Sequence, residues 1–289
     1  MFPEAIDNTA RLEYAACPTK FYYSNVYGIK PSGKNIHTLF GGALADGLCA
    51  YRTSVYRDGL DHETALRDGW QAIVEHWGGE EDPAYGNKTL TNCLICLEDY
   101  MTSFEESPLV PAWVNGQPAT EMSFCVPVPG TQHPETGNPI LFTGRFDMLA
   151  EYNGALYVLD DKTTSQLGNQ WMQQWRLSSQ LIGYTWACQQ YGLKPSGAVV
   201  RGASPQAKGN KFLECFNMYS QWLVDRWARQ FVRDINNMIE DYQNGVWSMN
   251  FGGACTEYGG CKFLDICTSR KPERVIEFQY EKDTWSPLT

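Results

Sequence analysis

The chain has 289 residues, 43% of them hydrophobic, and carries a formal net charge of -10 with a sequence pI near 4.9. A length of this order buries a sizeable core as one large domain or two small ones. The acidity excludes a protein that holds nucleic acid by its overall field, because phosphate repulsion reaches over a Debye length of about 8 Å.

No apolar run is long enough to span a bilayer, and the opening MFPEAIDNTARLEYAAC carries acids where a signal peptide has a basic stretch. A soluble cytoplasmic protein with no membrane partner is therefore expected. Ten cysteines in that setting are not read as a disulfide framework, since the cytosol keeps thiols reduced, so metal ligation or burial must account for them. A GxxxxGK[ST] signature is absent, which argues against an ATP motor within the chain.

In chain order, residues 8–16 read as a short helix capped by Asn8 or Thr9 that delivers Cys17, where Pro18 disfavours continuation. Helical apolar spacing follows from 39 to about 77, broken near Asp58 and Gly59, and again from 91 to 104. Strand patterns then appear at 121–128, 139–151, 155–160 and from 197 to 200, with a long helical pattern over 170–191 before the last of them. A helix over 221–242 and a tail with three cysteines close the chain. This order predicts an α/β or α+β core, a mixed central sheet with an antiparallel hairpin flanked by helices. The reading is one domain, 1–289, with a helical part over 1–115, the core over 116–215 and a second helical part over 216–289. Between 194 and 212 lie Lys194, Arg201, Lys208 and Lys211 without an acid, either a solvated loop or a local patch for nucleic acid.

Chemistry concentrates at the hairpin. Asn153-Gly154 suits a two-residue type I′ turn, whose two positions need positive φ. If these two form the loop, Tyr152 faces Ala155 and Asp147 faces Asp160. Two carboxylates across an antiparallel pair, with Cβ atoms about 5 Å apart, repel unless a positive charge lies between them. The two-residue period places Lys162 on the face of Asp160 and turns Asp161 to the other. Leu149 and Val158 suggest that the face is semi-buried, where unpaired charge is costly. Asp147, Asp160 and Lys162 thus read as a hard-oxygen site for Mg²⁺ or Mn²⁺. The plainer alternative is an exposed hairpin with Asp147 neutralised by Lys162 or Arg145.

These residues resemble the PD-(D/E)XK nucleases, and among them the RecB-type branch. Gly144-Arg145-Phe146-Asp147 is similar to its G-x-x-D strand, Asp160-Asp161-Lys162-Thr163 to its D-x-K-T strand, and Gln180 to Tyr184 to its Q-x-x-x-Y helix. The resemblance implies a restriction-endonuclease-like fold, catalysis by Asp147, Asp160 and Lys162, metal coordination completed by the carbonyl of Asp161, and substrate contacts from Gln180, Tyr184, Arg145 and Thr163. Gln180 and Tyr184 share a helix face, suited to a nucleic-acid backbone. The branch often carries a metal-binding His in G-x-x-x-H-x-x-L, whereas here Ala45 stands at that position with Asp46 beside it. Asp46 and Glu121 are the candidates to replace it. His37, His62, His76 and His133 show no ligand spacing and receive no role.

Cys17 opens CPTKFYY, and the tail holds Cys255, Cys261 and Cys267. Members with an iron-sulfur cluster resemble this pattern, with one cysteine in front and three near the end, which implies a structural [4Fe-4S] cluster on these four thiolates. The spacing C-x5-C-x5-C departs from the commoner C-x2-C-x5-C. Zinc on the same four thiolates is the alternative. Cys49, Cys93, Cys96, Cys125, Cys188 and Cys215 read as core.

The resulting expectation is a Mg²⁺- or Mn²⁺-dependent deoxyribonuclease, an exonuclease acting on DNA ends or single strands in recombination, repair or phage DNA processing. The alternative is a non-catalytic DNA-binding or assembly protein that retains the fold and cluster. A third reading is the nuclease component of a larger machine with a helicase, recombination or integrase subunit, as in helicase-nuclease or CRISPR adaptation complexes.

Overall fold

A computed structural model describes residues 1–33, 36–79, 86–256 and 260–283, with the side chain of His37 outside that set. In chain order β1 (Ala5–Ile6) precedes α1 (Asn8–Ala16) and α2 (Pro18–Phe21), then β2 (Ile29–Pro31). The cap of α1 is Asp7 rather than Asn8 or Thr9: its backbone is extended and its carboxylate accepts the Ala10 amide at 2.7 Å. Three helices follow, α3 (Ile36–Arg52), α4 (His62–Trp77) and α5 (Leu90–Ser103). Next come the short strands β3 (Val110–Pro111), β4 (Trp113–Val114) and β5 (Gln117–Pro118), then the long strands β6 (Thr120–Pro127), β7 (Leu141–Tyr152) and β8 (Ala155–Thr163). After them stand α6 (Asn169–Gln174), α7 (Ser179–Gln190), β9 (Gly197–Ser204), β10 (Lys211–Met218) and α8 (Gln221–Asn244). The tail forms α9 (Gly253–Thr256), α10 (Leu264–Thr268), α11 (Pro272–Gln279) and β11 (Tyr280–Lys282).

The chain divides into two compact units: Met1–Gly33 with Phe124–Gly144 and Asp225–Thr289, and Lys34–Ser123 with Arg145–Val224. In the second unit β8 pairs antiparallel with β7 and parallel with β9, and β10 pairs antiparallel with β9. The parallel step is made through α7, as parallel neighbours require a crossover. Every residue of β9 is buried, the pattern of a strand covered on both faces. One cluster, with Phe40, Leu44, Leu48, Ile73, Trp77 and Leu97 at its centre, packs α3, α4 and α5 together. A second lies on the sheet through Met148, Ala150, Leu159 and Val199.

In the first unit β1 pairs parallel with Leu141 and Phe142, and β2 pairs antiparallel with β11. Phe142 packs against Trp227 and Phe231, with centroids 5.5 and 4.8 Å away. Arg11 and Asp234 form an ion pair at 2.9 Å.

The expected hairpin is present. Asn153 and Gly154 take φ of 50° and 74°, and the ladder runs from Tyr152↔Ala155 to Met148↔Leu159. Two expectations change. The 170–191 pattern is two helices separated by a 3₁₀ turn at Trp175–Leu177, because Ser178 adopts an extended backbone and caps a new helix through the Leu181 amide at 3.4 Å. The basic stretch 194–212 is not one loop either, since most of it is β9 and the start of β10. No helix among the described residues is long and apolar enough to cross a membrane.

A candidate active site on the β7–β8 hairpin

Strand alternation divides the DDK triplet as its charges suggest. The Lys162 ammonium forms an ion pair with the Asp160 carboxylate on one face of β8. Asp160 is 3% exposed, whereas Lys162 retains 29% of its side-chain surface and so reaches solvent. Asp160 Oδ2 has the Lys162 ammonium as its partner. A buried carboxylate oxygen is costly without such a cation.

Burial, then the charges of Asp160 and Asp161, push the Asp147 carboxyl well above the usual aspartate range. Burial raises Asp160 as well, against the pull of Lys162. Burial alone would lower Lys162, but the charges of Asp160 and Asp147 outweigh it and hold the ammonium above the ordinary lysine value. A buried acid, Asp160, and a half-buried one, Asp147, both with raised pKa beside the Lys162 ammonium, have the oxygen chemistry that a hard divalent ion would satisfy.

On the opposite face Asp161 is held on both oxygens, by Tyr100 Oη and by the Arg52 guanidinium, each at 2.5 Å. Its backbone N–H donates to Asp147 Oδ2 at 2.6 Å. Behind this lies Arg201, which bonds Glu214 and Ser107 at 2.7 Å each and sits 4.2 Å over the Phe104 ring. Arg201 is therefore an internal cation and not part of a surface patch. Lys208 does face outward: with Lys88, Thr164 and Ser165 it lines an open cleft of about 530 Å³ at the end of β8.

Glu121 takes a left-handed φ of 52°, unusual for a residue with a side chain. Its carboxylate lies 4.0 Å from Arg52 and 3.4 Å from Arg145, and burial raises its pKa despite both. Asp46 is engaged elsewhere, accepting His76 Nδ1 at 2.7 Å. The His76 ring lies over Gly42, where an added Cβ would meet it at 2.7 Å. His76, left without a role by spacing, is thus the partner of a candidate ligand.

Gln180 Nε2 donates to Tyr184 Oη at 2.9 Å on α7. Burial and the charge of Asp160 push the Tyr184 phenol up to about 12, which places that helix face beside the carboxylates. Thr163 marks the close approach of α3 to β8, since a Cβ on Gly41 would lie 3.1 Å from its hydroxyl. Arg145 is the most open of the expected substrate residues, with 55% of its side chain exposed.

Sequence reasoning missed Arg52 and Tyr100. The signal was present: Leu44, Leu48 and Arg52 lie on one helical stripe, so Arg52 puts a charge where burial is expected, and Cys93, Cys96 and Tyr100 do the same with a phenol.

In the first unit Cys17 and Cys255 both reach Asn250. Asn250 N–H donates to Cys17 Sγ at 3.5 Å, and Cys255 Sγ contacts the Asn250 carbonyl at 3.4 Å. Burial raises the Cys267 thiol, with further contributions from Cys261, Cys17 and Cys255. Among the described residues, no group of three or more His, Cys, Asp or Glu side chains is assembled to hold a metal ion, here or at the hairpin. Of the cysteines read as core, Cys93, Cys96, Cys188 and Cys215 are buried, but Cys49 is half-buried and Cys125 lies on an outward position of β6.

Comparison with known proteins was made against families, curated proteins and solved structures. The model of the PD-(D/E)XK nuclease superfamily matches residues 9–268. No curated protein matches the chain. Among solved structures, a chain from Eubacterium rectale described as a "Putative exonuclease" is similar over 88% of each chain, with a TM-score of 0.52 and 12% identity. Another, SSO0001, is 15% identical over 78% of this chain and 84% of its own, with a TM-score of 0.34.

Proposed function

The chain belongs to the PD-(D/E)XK nuclease superfamily, and from that premise we propose that it is a Mg²⁺- or Mn²⁺-dependent deoxyribonuclease of the RecB-type branch, acting as an exonuclease on DNA ends or single strands. The observation that carries this reading is the pair of repelling carboxylates, Asp160 buried and Asp147 half-buried, beside the Lys162 ammonium. A non-catalytic DNA-binding relative would gain nothing from keeping so costly a triad.

In this reading Asp147 and Asp160 hold the divalent ion, with the Asp161 carbonyl as a further ligand and Glu121 or Asp46 in reserve for the missing histidine. The ion supplies charge that offsets what develops on the phosphate during hydrolysis. Lys162, tethered to Asp160 but open to solvent, orients the attacking water or stabilises the phosphate oxygens. Gln180 and Tyr184 contact the nucleic-acid backbone from α7, and Arg145 and Thr163 extend that contact. The second cofactor is a structural [4Fe-4S] cluster on Cys17, Cys255, Cys261 and Cys267, with zinc as the alternative. What supports it is the cysteine pattern, one in front and three in the tail, together with the placement of all four in one compact unit.

The test is incubation of purified protein with end-labelled single- and double-stranded DNA in Mg²⁺, Mn²⁺ or EDTA. Metal-dependent cleavage that falls by about 100-fold or more in Asp160→Asn and in Lys162→Ala is expected. Cleavage that EDTA leaves intact, or that both variants retain, removes the enzyme reading. Co-purification with a helicase, recombination or integrase subunit would identify a place in recombination, repair or phage DNA processing.

A further inference from the structure

Asp161 stands between Asp160 and Lys162 in sequence but on the far face of β8, away from a substrate held by Lys162. Even so, its side chain is only 10% exposed and both of its carboxylate oxygens are taken, one by Tyr100 and one by Arg52. Arg52 is 4% exposed and Tyr100 is fully buried, and the two also contact each other at 3.3 Å. Such a charge-assisted, doubly anchored carboxylate fixes its own backbone.

The anchored backbone has a specific consequence. The β7–β8 ladder runs to Met148↔Leu159, and at the next step the Asp161 amide turns to the Asp147 carboxylate at 2.6 Å. One oxygen of Asp147 is thereby fixed in direction by a donor that the β8–β9 ladder holds through Asp161↔Arg201 and that Arg52 and Tyr100 hold through the Asp161 side chain. We propose that Arg52 and Tyr100 are positioning residues that act through Asp161 to aim the Asp147 carboxylate at the divalent ion. This rests on the reading that Asp147 is a metal ligand. Partners of this outer kind orient a ligand before the metal arrives, and their loss commonly costs 10- to 100-fold in metal affinity.

A merely structural triad would tie α3 and α5 to β8 without affecting metal binding, so the experiment is a calorimetric titration of Mn²⁺ into the full chain. The set comprises wild type, Asp147→Asn, Tyr100→Phe, Arg52→Lys and, as a destabilised control from the same helix as Tyr100, Leu97→Ala. Tyr100→Phe removes one hydroxyl and keeps the ring, so it should fold even if Arg52→Lys does not. The expected result is Mn²⁺ binding by wild type that Tyr100→Phe weakens by about 10-fold or more, Arg52→Lys weakens further, and Leu97→Ala leaves unchanged while lowering the melting temperature. Wild-type affinity in Tyr100→Phe, or an equal loss in Leu97→Ala, overturns the positioning role and leaves Asp147 as a ligand. If wild type binds no Mn²⁺, or Asp147→Asn binds it equally well, the metal reading falls and the positioning role with it.

Discussion

Asp160 and Lys162 show what a two-residue offset along a strand accomplishes. They meet on one face, while the intervening Asp161 leaves for the other and finds Arg52 and Tyr100. Removing one partner of a buried ion pair strands the other, so Arg52→Ala should destabilise the protein by about 3–5 kcal/mol in chemical denaturation. A loss under 1 kcal/mol would mean that Asp161 finds water or another cation. The acids also set a pH response. Burial raises Asp147 and Asp160, so the folded, metal-free chain holds these protons more tightly than the unfolded chain does. Their contribution to stability is therefore greatest below the ordinary aspartate range and is lost as pH rises through the raised pKa values. Melting curves in EDTA should fall across that window, and Asp147→Asn should flatten the fall; an identical profile for the variant would contradict the assignment.

At the scale of elements, the hairpin was legible because a turn dipeptide fixes a register and a register fixes a face. Asn153 and Gly154 both take positive φ, and the pairs follow from them. Gly154 has open space where a Cβ would sit, so Gly154→Ala should cost only the left-handed backbone penalty, about 1–2 kcal/mol. Gly197 is the opposite case: a Cβ there would lie 2.0 Å from the Asn217 carbonyl oxygen of the neighbouring strand. Gly197→Ala should separate β9 from β10 and cost about 3 kcal/mol or more. Equal melting temperatures for the two variants would show that the strand packing is looser than described.

A helical stripe marks Arg52 and Tyr100 as buried polar residues, but sequence could not supply their partner, because it is distant in the chain. Nothing near Asp161 announces Arg52 or Tyr100, which lie 109 and 61 residues away. Nor does local pattern reveal that Arg201, within a run of basic residues, bonds Glu214 across a ladder and turns inward. The cap at Ser178 escapes notice too, because the apolar spacing on either side of it continues and hides the break.

For the whole molecule, the chain returns on itself: the first unit gathers segments from both termini and from the middle, and the second takes the two stretches between them. A partition into three consecutive parts is what sequence order alone suggests, because order carries no information on which segments return. Cys17 and the tail cysteines occupy the same unit, so a metal held by all four, as proposed, would close a long loop and restrict the unfolded chain. Cys17→Ala and Cys267→Ala should each lose the bound iron or zinc in metal analysis and lower the melting temperature; full metal content in both variants would contradict the four-thiolate site.

The hairpin carboxylates are tested most directly by anomalous diffraction from crystals grown with Mn²⁺. A manganese peak coordinated by Asp147 and Asp160, with the Lys162 ammonium on the same face, is the expected result. Ordered crystals that show no manganese there, or the two carboxylates turned away from each other, would contradict it.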